Sequence, residues 1–325
     1  MRKFMVVIVV GLCLISCKTK RERASELIRK GMTAYSKRDY AESVKYFKAA
    51  LRLRPDNAAI AYNIACGYAL LKEKDSALSY LEKAVELGLY KIGDDPDLAI
   101  LQDDPRYMEL TERAAQLLEE LKSKEWEPVI VLPKRFDTSN MYPLVIGLHG
   151  FGSNPVDFAD GIGPYITRLG YILCCPYAPD VMGKTAFAWG HPYELAEQRI
   201  MEAYEYVRSR YRVDTTNVII LGYSQGGSRA FFTGLRHPEI FSGIITMAGA
   251  YKEEFNQYLG DAKTKWMKIY MMIGEKDFLL ETNKTAKDTM DKLGIPVKLM
   301  IYPKLGHAAP PGGEITKALR WLQKQ

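Results

Sequence analysis

Apolar residues recur at helical spacing from Ala24 to Lys91, and the recurrence itself repeats. Two windows of 34 residues, Ala24 to Asn57 and Ala58 to Lys91, align position by position. Leu27 matches Ala61, Gly31 matches Ala65, Ala34 matches Tyr68, Ser43 matches Ala77, Phe47 matches Leu81 and Ala50 matches Ala84. Small residues at such places let two helices approach closely, and the larger apolar ones fill the space between them. Lys37-Arg38-Asp39-Tyr40 and Lys72-Glu73-Lys74-Asp75 break the rhythm and read as polar turns inside each helix pair. Pro55 ends the first window, and Leu89 stands at its place in the second. An amphipathic stretch from Pro105 to about Lys122 is expected to cap the array. Asp94-Asp95-Pro96 and Asp103-Asp104-Pro105 carry acids just before a proline, a helix-start signal.

The pattern changes at Glu127-Pro128. Short apolar runs then alternate with helical windows. The runs are Val129 to Leu132, Pro143 to Leu148, Tyr171 to Cys175, Asn217 to Gly222, Gly243 to Met247, Lys268 to Ile273 and Val297 to Ile301. The helical windows fall near Tyr193 to Tyr211, Gln225 to Arg236, Asn283 to Leu293 and Glu314 to Gln323. Such alternation predicts a mainly parallel sheet with helices on both faces, and a ligand site at the carboxyl ends of the strands.

The first residues follow neither pattern. Arg2 and Lys3 precede an apolar run, Phe4 to Ile15, broken only by Gly11 and short for a spanning helix. It ends in Leu14-Ile15-Ser16-Cys17, which resembles the lipobox of bacterial lipoproteins. That resemblance implies acylation of Cys17, an extracytoplasmic protein and a lipid anchor on a membrane of the cell envelope. An ordinary cleaved export signal or an uncleaved anchor has the same charged start. The domains expected are therefore 1–17 (signal), 18–126 (helical repeats) and 127–325 (the α/β domain). Basic residues crowd Lys18 to Lys30, either as a solvated tether or to attract anionic headgroups.

Composition narrows the classes. The 325 residues suffice for two compact domains, and 47% apolar content supports a core. The net charge of +6 is mild, and no dense basic block occupies the second half, so no nucleic-acid partner is expected. Cys66, Cys174 and Cys175 lie in apolar surroundings and read as core filler. No Cys/His set has metal-ligand spacing, so no structural zinc is expected.

The chemistry centres on Gly222-Tyr223-Ser224-Gln225-Gly226, a G-x-S-x-G element between the strand Val218 to Leu221 and a helix. This is a nucleophile elbow: a turn so sharp that flanking glycines must relieve crowding, with the serine projecting above the sheet. A serine nucleophile needs a base, and the base needs an orienting acid. Of the four histidines, only His307 follows both the serine and a later acid, the order of this class. Asp277 is the expected acid and Glu275 its rival, both in the loop after a strand. His191 and His237, each followed by proline, read as structural. Oxyanion donors are expected from the backbone amides of Gln225 and of Phe151, in His149-Gly150-Phe151-Gly152. Tyr177 to Tyr193, with Met182, Phe187, Trp189, His191 and Tyr193, is the candidate wall: an acyl or aromatic-acid pocket, or a layer packed over the sheet. Trp189, Phe187 and His149 are the candidate substrate-binding residues, His149 reading as a loop brace rather than a base.

Two resemblances follow from these residues. The 34-residue windows resemble tetratricopeptide repeats, which implies helix-turn-helix units. Their concave face would hold a protein partner, or the pair would act as a spacer. From about Pro128 to Gln325 the chain resembles a compact α/β-hydrolase. It is similar to carboxylesterase/phospholipase-like enzymes, feruloyl esterases, polyhydroxybutyrate depolymerases and dienelactone hydrolases. That implies hydrolysis of a carboxylic ester, short- to medium-chain or aromatic and carried on a small molecule, glycan or lipid. The reaction would run through an acyl-serine, without metal or organic cofactor. A peptidase or amidase with the same triad, and an inactive scaffold lipoprotein, are the other readings.

Overall fold

A computed structural model of the chain describes residues 20–93, 95–260 and 266–323. The expected signal, Cys17 and Asp94 lie outside the described residues. Among those described, no helix is long and apolar enough to cross a membrane. The chain forms two compact units, Met1–Arg113 and Ala114–Gln325. The division falls upstream of the pattern change at Glu127-Pro128.

In the first unit, α1 (Lys20–Ser36) pairs with α2 (Tyr40–Leu53), and α3 (Ala58–Leu70) with α4 (Lys74–Glu86). These are the two repeats. Arg38 (φ 61°) and Lys72 (φ 66°) turn the chain through the left-handed region, and the next amides close onto Ala34 and Tyr68 carbonyls. Asp39 and Asn57 cap the helices that follow by accepting from the amides of Glu42 (3.2 Å) and Ile60 (2.9 Å). Gly31 is required by proximity: a Cβ there would lie 2.7 Å from the Phe47 ring. Phe47, Ala50, Ala61, Leu81 and Ala84 are fully buried, as the repeat alignment expects. A short 3-10 turn (Pro96–Leu101) follows, and then α5 (Pro105–Lys122), which contains the division between the units.

The second unit is built on one sheet covered by helices on both faces. Seven strands form one sheet in the order β1-β3-β2-β6-β7-β8-β9. These are β1 (Val129–Val131), β2 (Tyr142–Leu148), β3 (Ile172–Cys175), β6 (Val213–Tyr223), β7 (Gly243–Met247), β8 (Lys268–Gly274) and β9 (Val297–Tyr302). Only β1 runs antiparallel to its neighbour. Side-chain alternation sorts the two faces. Val145, Leu173, Ile219, Leu221, Ile245 and Met272 form one core with Ile162, Ile166, Ile315 and Leu319 of α6 (Pro155–Thr167) and α10 (Gly313–Gln323). The opposite face carries α7 (Tyr193–Arg208) and α8 (Gln225–Arg236), and α9 (Leu280–Lys292) packs on β8 and β9. Gly234 lets α8 sit close, since a Cβ there would come within 2.7 Å of Ile244 and 3.0 Å of Ile220.

Several elements, among them one helix and a pair of short strands, had no counterpart in the sequence reading. Helix α6 contains Gly161, Gly163 and Pro164, which mask its periodicity, although Asn154 caps it and Pro155 opens it. The small pair β4 (Asp180–Val181) and β5 (Phe187–Ala188) lies inside the stretch read as a pocket wall. The cysteines Cys66, Cys174 and Cys175 are free and buried, consistent with filler.

Candidate active site

The elbow forms where β6 runs into α8. Ser224 has φ 52° and ψ −116°, a strained conformation for a residue with a side chain. Its amide donates to the Met247 carbonyl at 2.8 Å, which pins the turn to β7. Neither flanking glycine has room for a side chain. A Cβ on Gly222 would lie 2.2 Å from the Gly226 carbonyl oxygen, and one on Gly226 would lie 2.4 Å from those of Leu148 and His149.

The Ser224 hydroxyl lies 2.8 Å from His307 Nε2. His307 Nδ1 lies 3.0 and 3.2 Å from the two Asp277 oxygens, so Nδ1 carries the proton and Nε2 is free to accept from the serine. The acid and histidine loops are held against one another. The Lys276 amide donates to the Leu305 carbonyl at 2.8 Å, and a Cβ on Gly274 would lie 2.3 Å from that same oxygen. Asp277 is buried and also accepts the Leu279 amide at 2.9 Å, which fixes the carboxylate. Glu275 is exposed and turns to the Lys304 amide at 2.9 Å, so of the two rival acids it is Asp277 that meets the imidazole.

The remaining histidines sit in other settings. His237 lies between Glu197 (2.8 Å) and Glu239 (3.1 Å). The bond to Glu197 raises its pKa against the opposing effect of burial. Burial by itself would raise Glu197, but His237 and Arg236 outweigh it and bring the carboxyl below its ordinary value. His191 packs edge-on against Tyr193. His149 is buried and its Nδ1 donates to the Gly150 carbonyl at 2.8 Å. Burial pushes its pKa down to about 4, so the ring is neutral at ordinary pH.

The two amides expected to face the oxyanion belong to segments joined by one residue. Gln225 opens α8, where the first amides have no partner within the helix. The Phe151 loop is tied down by the Gly152 amide on the Phe187 carbonyl (3.0 Å) and the Phe187 amide on the Ser153 carbonyl (2.9 Å). Trp189 then spans the two segments. Its indole N–H donates to the His149 carbonyl at 2.8 Å, and its backbone amide donates to the Gln225 side-chain oxygen at 2.9 Å. Arg229, one turn further along α8, donates to the Trp189 carbonyl at 3.0 Å and to the Gly190 carbonyl.

This geometry corrects the expected substrate-binding set. Phe187, Trp189 and His149 each have no exposed surface, so none can line an open pocket. The reason is packing: Phe187 is wedged between Trp126 and Tyr177, and Trp189 between the loop and α8. Exposed apolar surface is found elsewhere. Phe151 is 64% exposed, and Phe278, to which the sequence reading gives no role, is 77% exposed with its ring 4.8 Å from the His307 ring. The available signal was an aromatic residue directly after the acid. Among the described residues, one set of side chains could offer ligand atoms to a cation: Cys66, Asp95 and Asp97 in the helical unit, within 4.8 Å of one another. Tyr62 donates to Asp95 at 2.7 Å and Tyr35 donates to Asp97, so both carboxylates already have partners.

Comparison with known proteins agrees with both units. Residues 137–325 match the phospholipase/carboxylesterase family model, and residues 24–57 and 58–87 match tetratricopeptide-repeat models. A probable carboxylesterase SOBER1-like of Arabidopsis thaliana is 28% identical over 119 residues, covering 35% of this chain and 44% of that protein. The chain spans less than half the length of the curated relatives it matches. A ferulic acid esterase structure superposes with a TM-score of 0.51 at 20% identity, over 61% of this chain and 98% of that one. An uncharacterized protein from Bacillus cereus ATCC 10987 superposes with a TM-score of 0.52 at 20% identity, over 92% of this chain and 98% of that one. At such identities the structural likeness speaks to the fold.

Proposed function

We propose that this chain, which belongs to the phospholipase/carboxylesterase family, hydrolyses carboxylic esters through an acyl-serine intermediate on Ser224. His307 Nε2 takes the Ser224 proton as the oxygen attacks the ester carbonyl. The carbonyl oxygen becomes an oxyanion held by the amides of Gln225 and Phe151. When the tetrahedral adduct collapses, the C–O bond to the alcohol breaks and His307 gives its proton to the departing oxygen. A water then enters and loses its proton to His307. Its oxygen attacks the acyl carbon, and the proton returns to Ser224 as the acid leaves. Asp277 holds the imidazole in the tautomer that needs no rearrangement and stabilises its cation.

The observation that carries this reading is the contact of Ser224 and His307 at 2.8 Å, continued to Asp277 at 3.0 Å. A fluorophosphonate probe tests it. We expect the folded wild-type protein to be labelled and Ser224→Ala to be unlabelled, with turnover of p-nitrophenyl esters lost in the variant. Turnover of peptide anilides without ester turnover would favour an amidase instead. Failure of the probe to label a folded protein would favour an inactive scaffold.

The same proposal places the enzyme in a bacterial cell envelope, held to a membrane through a lipid on Cys17 and acting on esters outside the cytoplasm. Its repeats would present a face to a protein partner. Both points rest on the N-terminal sequence and on the matched repeats.

A further inference from the structure

The corrected pocket wall leaves open which residue reads the substrate. We propose that Phe278 selects the alcohol half of the ester, offering its open ring to an aromatic leaving group. The inference rests on the acyl-serine reading above and deepens it.

The argument begins at the proton. In the collapse step His307 Nε2 must reach the departing oxygen, so that oxygen lies within hydrogen-bond distance of the imidazole. Whatever is attached to the oxygen therefore lies beside the imidazole. Phe278 is the exposed apolar ring in contact with that imidazole: the centroids are 4.8 Å apart and the planes are inclined by 34°. One part of the phenyl ring rests on the base, and 77% of the residue's surface remains open. Among the described residues Tyr223 is the other aromatic neighbour of His307, at 6.1 Å, but its hydroxyl is turned to the His307 carbonyl at 3.5 Å and the residue is only partly exposed.

The acyl half has different surroundings. The acyl carbon is attached to Ser224, and its oxygen points to Gln225 and Phe151. Phe151, also exposed, lies on the loop proposed to receive the oxyanion, whereas the rings in contact with the His307 imidazole among the described residues are Phe278 and Tyr223. The buried aromatics Phe187 and Trp189 touch neither half. Discrimination of the alcohol thus falls to the residue after the acid. An aromatic alcohol can stack on the free part of the ring in an offset or edge-on arrangement. His307 retains 28% side-chain exposure, which leaves a way in for the water of the second half-reaction once the alcohol has gone.

Benzyl and ethyl acetate share an acyl group and have alcohols of similar acidity, so they isolate this contact. We expect the ratio of their kcat/KM values to fall about tenfold in Phe278→Ala, a difference of about 1.4 kcal/mol. Phe278→Tyr should restore the ratio. The preference between ethyl acetate and ethyl butyrate should be the same in all three proteins. An unchanged benzyl-to-ethyl ratio, an equal loss on both esters, or a change in the acyl preference instead would overturn the proposal. If wild-type protein is not labelled at Ser224 by a fluorophosphonate, the underlying mechanism has failed. Labelling with an unaltered alcohol ratio removes the Phe278 role alone.

Discussion

Replacing Trp189 by phenylalanine should separate the hydrogen bond that spans the active site from the packing around it. Phenylalanine keeps most of the aromatic volume but has no N–H to give the His149 carbonyl, which the indole reaches at 2.8 Å. The site is buried, with Trp189 and His149 both fully covered. A buried acceptor that loses its partner costs about 1 to 3 kcal/mol. The smaller ring adds roughly 1 kcal/mol, a fraction of the about 3 to 5 kcal/mol lost when a large aromatic becomes alanine. The sum is about 2 to 4 kcal/mol. For a domain of this size each kcal/mol moves Tm by about 2 to 4 °C, so the melting point should drop by roughly 5 to 15 °C. Kinetics should report the loop as well. Complete loss of an oxyanion donor costs about a hundredfold to a thousandfold in kcat, and a displaced donor should cost less, about tenfold, with KM little altered. The affinity of an aryl boronate, which forms a tetrahedral anion on the serine, should fall with kcat. Thermal melting, steady-state kinetics on a p-nitrophenyl ester and boronate inhibition measure all three. A variant with Tm within about 2 °C and kcat within about twofold of wild type would show that the indole bond does not set the donor geometry.

Two further outcomes concern regions away from the proposed triad. In bacteria expressing the full chain, labelled palmitate should be incorporated into wild type and not into Cys17→Ser; equal incorporation would refute the lipid anchor. The stabilisation that His237 and Glu197 give each other requires a protonated imidazole and an ionised carboxylate. Because the folded value of His237 is raised above 6.5, its share is complete below 6.5 and lost as pH rises through the folded value. Because the folded value of Glu197 is lowered below 4.5, its share is complete above 4.5 and lost as pH falls through the folded value. Urea unfolding should therefore show a larger gap between wild type and His237→Gln at about pH 5.5 than at about pH 9; a gap that is equal or grows toward high pH would contradict the pairing.

How far the sequence reveals this molecule depends on whether a signal is local. The repeats are legible because Gly31, Ala61 and Ala65 stand where helices cross, and a 34-residue period survives substitution of Phe47 by Leu81. The elbow is legible because sterics permit so little at Gly222 and Gly226. Chain order brings His307 forward, but order alone leaves Asp277 and Glu275 open; only the fold shows one carboxylate turned to the imidazole and the other to the Lys304 amide. Helix α6 escaped because its helical content is carried by a cap and tertiary packing rather than by propensity, with Gly161, Gly163 and Pro164 all against it. The aromatic wall left its two readings, pocket or packed layer, undecided for a related reason, and burial favours the packed layer. Sequence shows that Phe187 and Trp189 are apolar and near the site, but whether a ring faces the ligand or the core depends on the β4–β5 pair, whose strands are two residues each.

The role of Trp189 also accounts for a charge that is otherwise hard to explain. Arg229 is 2% exposed, and among the described residues its hydrogen bonds go to the carbonyls of Trp189 and Gly190 rather than to a carboxylate. Burial lowers its pKa, the mark of a charge taken out of water at a cost. The carbonyl dipoles and the face of Tyr193, 3.6 Å from the guanidinium carbon, offset that cost. What the arrangement secures is position. Gln225 and Arg229 are four residues apart on α8, on the same face, and they hold Trp189 by its amide and its carbonyl. Trp189 in turn holds the carbonyl just before Gly150. The helix that carries the proposed nucleophile at its N-terminus therefore also fixes the loop of the second proposed oxyanion donor. In the proposed mechanism the attacking oxygen and both donors are thus referred to one rigid element, which is what a site must achieve if it is to avoid reorganising as charge develops.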